Sequence, residues 1–416
     1  MTILDVPTPI ALLAGLMVMA LSAHYMTARS KNGLLARIAA FVNLTCVVNA
    51  SLGVNILMAV IYLVVRPFSA SVMRKLNSDF AEALWADAIS TVMPPTKVVI
   101  SGDMPDDETQ AIIIANHQVD SDWWFIWEVM RRVGRHGALK IILKDDQRHV
   151  PIMGWGMRGF GFIFLKRDWA KDRDNLLRQL NVFTGDSYPL RLLIFPEGTT
   201  INQRSMEKCI EYAKKEQRPT FEHLLLPRIT GFSACVNAFS RAKSPGEQVH
   251  PRGREQEQSA RSQALGMPGN TRVVYDFTIG FTGYHGEIPT WEMGFARNVD
   301  VDIPNLGSLL KGRIHGPVHI HIVRHMVADV ASGDVKSWLD ATWARKDAML
   351  DQFIKDQSFP HEPIAVFESR KGPLSFLVLS ATPFVAGWLV YHGLVDLISM
   401  LSSLGGSTEA VGSTSL

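Results

Sequence analysis

The strongest constraint in this sequence is an absence. Three long stretches, residues 6–28, 38–65 and 372–395, contain no Asp, Glu, Lys or Arg. Each exceeds the roughly 18–20 apolar residues that a helix needs to cross a bilayer. Elsewhere the chain is ordinary. Its 416 residues carry 42 Lys+Arg against 40 Asp+Glu, a net charge of +2. That balance supplies no strongly basic domain for nucleic acid. A hydrophobic fraction of 47% excludes wholesale disorder. The mean hydropathy of +0.08 then reads as an average over a soluble-type domain and a few apolar anchors.

The first stretch is preceded by Asp5 instead of a basic cluster, so it reads as a retained anchor and not as a secretion signal. The second is flanked by basic residues on both sides: Arg29, Lys31 and Arg37 before, Arg66, Arg74 and Lys75 after. Positive charge marks the cytoplasmic side. Two readings stand level here: a segment that enters and returns, with Asn43, Asn49 and Asn55 serving the backbone at a bend, or a tilted single span. The third stretch follows Arg370 and Lys371, which puts that end on the cytoplasmic side, and Pro383 inside it predicts a kink or a hairpin. The expected organisation is an N-terminal anchor region over 1–66, a cytoplasmic working domain over 67–371, a C-terminal membrane segment over 372–404 and a flexible tail over 405–416. Within the working domain, 241–269 is rich in Gln, Arg, Glu, Ser, Gly and Pro and reads as a disordered insertion. Cys46, Cys209 and Cys235 are too few and scattered for a disulfide framework, and no CxxC spacing points to zinc.

Short β-branched runs at 98–100, 111–115, 138–143, 161–165 and 191–195 read as strands, with helices over 121–133 and 172–180 between them. Later strands are expected at 273–281 and 318–323, and an amphipathic helix over 335–353 with Trp338, Leu339, Trp343 and Leu350 on its apolar side. This alternation predicts an α/β fold, a layered mixed sheet flanked by helices, with membrane helices at both ends.

The strand at 111–115 runs into Asn116-His117-Gln118-Val119-Asp120-Ser121-Asp122. A His at the carboxyl end of a strand stands where α/β sheets place their active sites. Asp122, in the first turn of the next helix, can return its carboxylate to the imidazole, and such a pair is a general base of fixed tautomer. Asp120 is a rival partner, and a helix-capping Asp beside an ordinary His explains the spacing as well. A second buried strand ends in Phe195-Pro196-Glu197-Gly198-Thr199, whose Gly-Thr turn offers N–H groups and a hydroxyl to an anion.

In combination these segments resemble the glycerolipid (lysophospholipid) acyltransferase family, whose signatures are His-x4-Asp and a later Pro-Glu-Gly-Thr. His117 and Asp122 match the first, Pro196 to Thr199 the second. Residues 144–169, with Pro151, Gly154, Trp155, Phe164 and Arg167, resemble an intermediate block. Leu226-Pro227-Arg228-Ile229-Thr230-Gly231-Phe232 resembles a Pro-containing last block. Downstream segments are similar to the branch of lysocardiolipin acyltransferase and related 1-acylglycerol-3-phosphate acyltransferases.

The resemblance implies transfer of a fatty acyl group from acyl-CoA to the free hydroxyl of a lysophospholipid, of the lysophosphatidic acid or lysophosphatidylinositol type, at the endoplasmic reticulum membrane. It implies His117 as general base and Asp122 as its orienting group. Lys144, Arg167, Glu197, Gly198, Thr199, Arg204 and Pro227 are the implied substrate-binding residues. Acyl-CoA is a co-substrate, and neither a resident cofactor nor a metal is implied. The chain departs from the family pattern at Thr200, where many members carry Arg; Arg204 is the candidate substitute. Two other classes use the same residues: a lipid hydrolase with water as nucleophile, and a non-catalytic membrane scaffold. Head group and oligomeric state stay open.

Three further groups weigh less. His315, His319, His321 and His325 have no carboxylate or Cys at a metal-ligand spacing. Trp123, Trp124 and Trp127 read equally as interfacial aromatics or as packing. Gly154, Gly156, Gly159 and Gly161 lack the strand-to-helix context of a nucleotide loop.

Overall fold

The computed structural model describes residues 33–106, 110–186, 190–241, 272–290, 301 and 303–406, together with Gly15 and Met19. The rest of the 6–28 stretch, the 241–269 segment beyond Arg241 and the tail beyond residue 406 lie outside the described residues.

Among the described residues, eight strands form one mixed sheet: β1 Lys97–Gly102, β2 Ala111–Ala115, β3 Leu139–Lys144, β4 Ile163–Leu165, β5 Arg191–Ile194, β6 Val273–Phe281, β7 Val318–Met326 and β8 Pro363–Glu368. Their spatial order is β4-β3-β5-β2-β6-β7-β1-β8. β2 is Ala-Ile-Ile-Ile-Ala and is buried at every position. Successive side chains of a strand point to opposite faces. Accordingly Ala111, Ile113 and Ala115 join one apolar cluster, and Ile112 and Ile114 the other. A strand apolar throughout belongs mid-sheet, covered on both sides, and β2 lies between β5 and β6. The strands β2 to β6 are paired in parallel, so their carboxyl ends share one edge. β7 runs antiparallel to β6, β1 parallel to β7, and β8 antiparallel to β1.

The helices are α1 Gly33–Val65, α2 Ala70–Leu76, α3 Ala83–Val92, α4 Asp122–Val133, α5 Met153–Gly159, α6 Trp169–Gly185, α7 Gln203–Lys215, α8 Ile229–Arg241, α9 Leu306–Leu310, α10 Val327–Ser332, α11 Val335–Asp356 and α12 Pro373–Gly406. One face of the sheet packs on α1, α3 and α4 through Val54, Ile89 and Phe125. The other packs on α6, α8 and α11 through Leu180, Phe232 and Trp343. On α11, Leu339, Trp343, Leu350 and Phe353 recur at three, four and seven residues, and all are buried. The helices α5, α7 and α8 and the edge strand β8 were not expected from the sequence pattern.

The second apolar stretch is one uninterrupted helix, α1, about 50 Å long at 1.5 Å per residue. The re-entrant alternative therefore does not hold. Six residues advance a helix by about 600°, so successive asparagines point about 120° apart. Asn43 donates to the Leu310 carbonyl of α9 at 2.8 Å, Asn49 to the Ser380 carbonyl of α12 at 3.1 Å, and Asn55 to the Ile152 carbonyl at 2.8 Å. The three amides tie three different segments to α1 and serve no bend.

α12 is likewise continuous through Pro383, and the hairpin alternative fails. Pro383 has no N–H for the carbonyl four residues back, that of Leu379. Gly53 of α1 lies against this carbonyl: a Cβ on Gly53 would stand 1.9 Å from its oxygen. Asn49 takes the adjacent Ser380 carbonyl. Gly53 and Asn49 are four residues apart on one face of α1, so the neighbouring helix covers the break.

The tryptophans of α4 pack. Trp124 and Trp127 are buried, Trp127 Nε1 donates to the His136 carbonyl at 2.7 Å, and Trp123 meets both rings edge-on. Gly156 and Gly159 of α5 serve close approach to α1, where a Cβ on Gly159 would fall 2.6 Å from Met58 Sδ.

Candidate active site

The site is assembled at the shared carboxyl edge. At the end of β2, the Asn116 side chain extends the ladder: its Nδ2 donates to the Ile279 carbonyl at 3.0 Å and its Oδ1 accepts from the Ile279 N–H at 2.8 Å. The next residue, His117, is thereby aimed out of the sheet. His117 Nδ1 lies 2.9 Å from Asp122 Oδ2, which also accepts from the Val119 N–H at 3.0 Å. A buried carboxylate takes the proton-bearing nitrogen of the ring, which leaves Nε2 as the basic one. Asp120 turns elsewhere and accepts from the Leu306 N–H at 2.9 Å, where α9 begins. Burial raises the Asp122 carboxyl above the usual range, against the opposing pull of His117, and pushes Asp120 up to about 6. The His117 side chain is 19% exposed, and its ring stacks on Phe195 at 4.1 Å.

Phe195 opens the second half of the site, the turn after β5. The Gly198 N–H donates to the Phe195 carbonyl at 2.9 Å, and Gly198 takes a φ of 75° that side-chain-bearing residues avoid. Glu197 points inward and is 3% exposed. Its Oε1 accepts from the His117 N–H at 3.1 Å and its Oε2 from the Leu225 N–H at 3.2 Å. The His117 carbonyl accepts from the Ile201 N–H at 3.2 Å. His117 is thus held by its main chain on both sides, and Glu197 is a clamp between two loops, with both oxygens engaged. Burial pushes its carboxyl up to about 8, against the two N–H donors. On the same side of the sheet lies a buried ion pair: Lys346 of α11, 1% exposed, sits 2.5 Å from Asp276 of β6 and donates to the Phe277 carbonyl. Burial lowers the Lys346 pKa, and Asp276 opposes this.

The strand order sets the remaining candidates beside this pair. Next to β5 comes β3, ending at Lys144, and then β4, followed by Arg167. Both cations are exposed on the same edge; Lys144 pairs with Asp146 at 2.5 Å, and Arg167 holds a φ of 65°. Thr199 is half-buried, and the N–H groups of Thr199 and Thr200 have no acceptor among the described residues. Pro227 is buried, and its carbonyl accepts from Arg218 at 3.0 Å. Arg204 is exposed on the first turn of α7, and no contact among the described residues ties it to the Gly198 turn. Arg228 does have such a tie: its N–H donates to the Pro196 carbonyl at 2.8 Å, and its side chain lies over Gly198. Its only sequence signal is its place beside Pro227. The histidines of β7 make aromatic contacts: His321 bonds Ser101 Oγ at 3.0 Å and stacks on His361, His319 meets Phe353, and His325 meets Trp338.

Two family profiles match the chain. One, described as acyltransferase, covers residues 97–232 and so holds the His117–Asp122 pair and the Gly198 turn; the other, described as acyltransferase C-terminus, covers 308–380. The 1-acyl-sn-glycerol-3-phosphate acyltransferase 2 of Brassica oleracea is 27% identical over 372 residues, 87% of this chain and 83% of its own. Lysocardiolipin acyltransferase 1 of Mus musculus is 26% identical over 319 residues, 76% of this chain and 73% of its own. Among solved structures, the 1-acyl-sn-glycerophosphate acyltransferase of Thermotoga maritima superposes with a TM-score of 0.37 at 15% identity, covering 76% of this chain and 95% of that one. With the His117–Asp122 pair and the Gly198 turn inside the matched region, the chain belongs to the acyltransferase family.

Proposed function

We propose that this acyltransferase moves a fatty acyl group from acyl-CoA to the free hydroxyl of a lysophospholipid, of the lysophosphatidic acid or lysophosphatidylinositol type, with His117 as general base. The observation that carries the proposal is the 2.9 Å contact between His117 and the buried Asp122, at a sheet edge beside a turn with unused N–H groups. The two relatives named above are titled as acyltransferases of 1-acyl-sn-glycerol-3-phosphate and of lysocardiolipin.

In this mechanism His117 Nε2 takes the proton of the acceptor hydroxyl as its oxygen attacks the thioester carbonyl. Asp122 keeps the ring in the right tautomer and stabilises the imidazolium. The oxyanion of the tetrahedral intermediate accepts from the Thr199 and Thr200 N–H groups. Collapse breaks the C–S bond, and the imidazolium returns its proton to the departing thiolate. Lys144 and Arg167 supply positive charge for substrate phosphates.

The membrane enters as the home of the acceptor. Among the described residues, 33–65 and 373–401 form helices long and apolar enough to cross a bilayer. Trp388, Leu389, Val390, Tyr391 and Leu394 are all exposed on α12. An apolar surface of this extent needs a cover, and lipid is the cover proposed. Arg370 and Lys371 before α12 favour a cytoplasmic face for the domain at 67–371, and the endoplasmic reticulum is the proposed membrane.

The test is His117→Ala, expressed in membranes and assayed with labelled acyl-CoA and a panel of lysophospholipids. Loss of a general base costs about 10²–10⁴-fold in kcat, with protein level unchanged. Full residual activity would overturn the assignment of the base. The product separates the rival chemistries: diacyl phospholipid marks transfer, free fatty acid marks hydrolysis, and no turnover of any lysolipid marks a scaffold.

A further inference from the structure

The turn at Gly198 carries a cation whose charge nothing in the described structure uses. Arg228 donates its N–H to the Pro196 carbonyl at 2.8 Å, which pins its main chain to the turn. Its Nε, Cδ and Cζ lie 2.9, 3.2 and 3.3 Å from the point where a Gly198 Cβ would stand, so the guanidinium rests on the turn itself. The side chain is exposed, and among the described residues it has no hydrogen-bond or ion-pair partner. The adjacent carboxylate, Glu197, is buried and spent on the His117 and Leu225 N–H groups. Thr200, two residues past the glycine, is buried and uncharged.

The same turn holds the base. Glu197 bonds the His117 N–H, Ile201 bonds the His117 carbonyl, and Phe195 stacks on the ring. A group bound at Arg228 is therefore registered against His117 through one rigid loop. An arginine fork with free N–H groups, laid over a glycine that admits close approach, suits the paired oxygens of a phosphate. Of the other cations at this edge, Lys144 ends β3, one strand from β5, Arg167 follows β4, two strands away, and no contact among the described residues ties Arg204 to the turn, so Arg228 is the one whose main chain is bonded to the turn beside His117.

We propose that Arg228 receives a substrate phosphate at the catalytic turn and so sets the position of that substrate relative to His117. The proposal rests on the acyl-transfer reading above. Two substrates carry phosphate, the lysophospholipid acceptor and acyl-CoA, and the kinetics distinguish them.

The experiment compares full-length wild type, Arg228→Ala and Arg228→Lys in lipid vesicles, varying lysophosphatidic acid and oleoyl-CoA separately. Loss of a charge-assisted contact raises KM for the bound partner about tenfold or more in the alanine variant, well beyond any fall in kcat. Lysine recovers part of the loss, because it keeps the charge without the fork. A rise for lysophosphatidic acid assigns the acceptor phosphate; a rise for oleoyl-CoA assigns the coenzyme. Unchanged KM values for both, or a fall in kcat alone, overturn the proposal. Thermal midpoints of the variants separate misfolding from lost contact. Equilibrium binding of lysophosphatidic acid and of free CoA needs no turnover. If wild type binds but transfers nothing, the acyl-transfer reading fails while Arg228 is still judged by its own binding loss. Equal binding by wild type and Arg228→Ala sinks the Arg228 assignment alone.

Discussion

Replacing Asp122 by Asn changes one atom in the proposed catalytic pair, and its cost follows from the contacts. Asp122 Oδ2 accepts two N–H groups, from His117 Nδ1 and Val119, while Oδ1 is buried with no hydrogen-bond partner among the described residues. If the amide oxygen keeps the Oδ2 position, the NH₂ falls on the unpartnered side and costs about 1–3 kcal/mol of stability. If the amide turns over, NH₂ faces Nδ1, which must then give up its proton to Nε2, and the base is lost. In both orientations the imidazolium loses an anionic partner. A charge-assisted hydrogen bond of about 1.5–3 kcal/mol corresponds to about 10–150-fold in rate at 1.36 kcal/mol per decade. The tautomer change can carry the loss to about 10⁴-fold. The expected result is a fall in kcat inside this window, with KM for both substrates within about threefold, since Asp122 is fully buried. The assay is steady-state acylation of a lysophospholipid by detergent-solubilised protein, with thermal midpoints recorded in parallel. Asp120→Asn is the control: its amide oxygen can still accept the Leu306 N–H, and kcat is expected within about threefold of wild type. Retention of wild-type kcat by Asp122→Asn, or an equal loss in Asp120→Asn, would refute the pairing.

Glu197→Gln tests the clamp through pH. Burial holds the Glu197 carboxyl at about 8 in the folded state, against about 4.3 in an unfolded chain. A raised pKa contributes stability that is complete below the unfolded value and is lost as pH climbs to the folded one. Between about pH 4.5 and 8, wild type should therefore lose up to about 4–5 kcal/mol relative to the non-titrating Gln variant; parallel stability curves from chemical denaturation at pH 5 and 8 would contradict this. Gly53→Val places a Cβ 1.9 Å from the Leu379 carbonyl oxygen, which is backbone and cannot swing aside. Forcing α1 and α12 apart is expected to cost about 1–3 kcal/mol, read as a lower thermal midpoint and faster proteolysis between the helices, and an unchanged midpoint would count against the packing described.

Much of this protein is decided by residues close in sequence. The apolar run at 111–115 specifies a strand covered on both faces, and the strand places His117 at its end. Asp122 lies five positions after His117, near enough for the first turn of α4 to return the carboxylate. The strands at 273–281 and 318–323 and the helix over 335–353 follow from periodicity of the same local kind. The choice between Asp120 and Asp122 does not. It depends on α9, whose Leu306 N–H claims Asp120 from 186 residues away.

The same separation explains the rest. Glu197 is drawn inward because His117 and Leu225 both present N–H groups to it, 80 and 28 residues off. Lys346 is buried because Asp276 comes to meet it on β6. Arg228 lies at the Gly198 turn because its main chain bonds to Pro196. Pro383 leaves α12 intact because Gly53 and Asn49 of another helix cover its bare carbonyls. Sequence by itself specifies which residues can act as base, orienting acid and turn, since these depend on backbone geometry within a few positions. Tertiary structure decides which polar group faces which, because a side chain turns toward whatever partner the fold brings to it, and burial makes leaving that partner unmet costly.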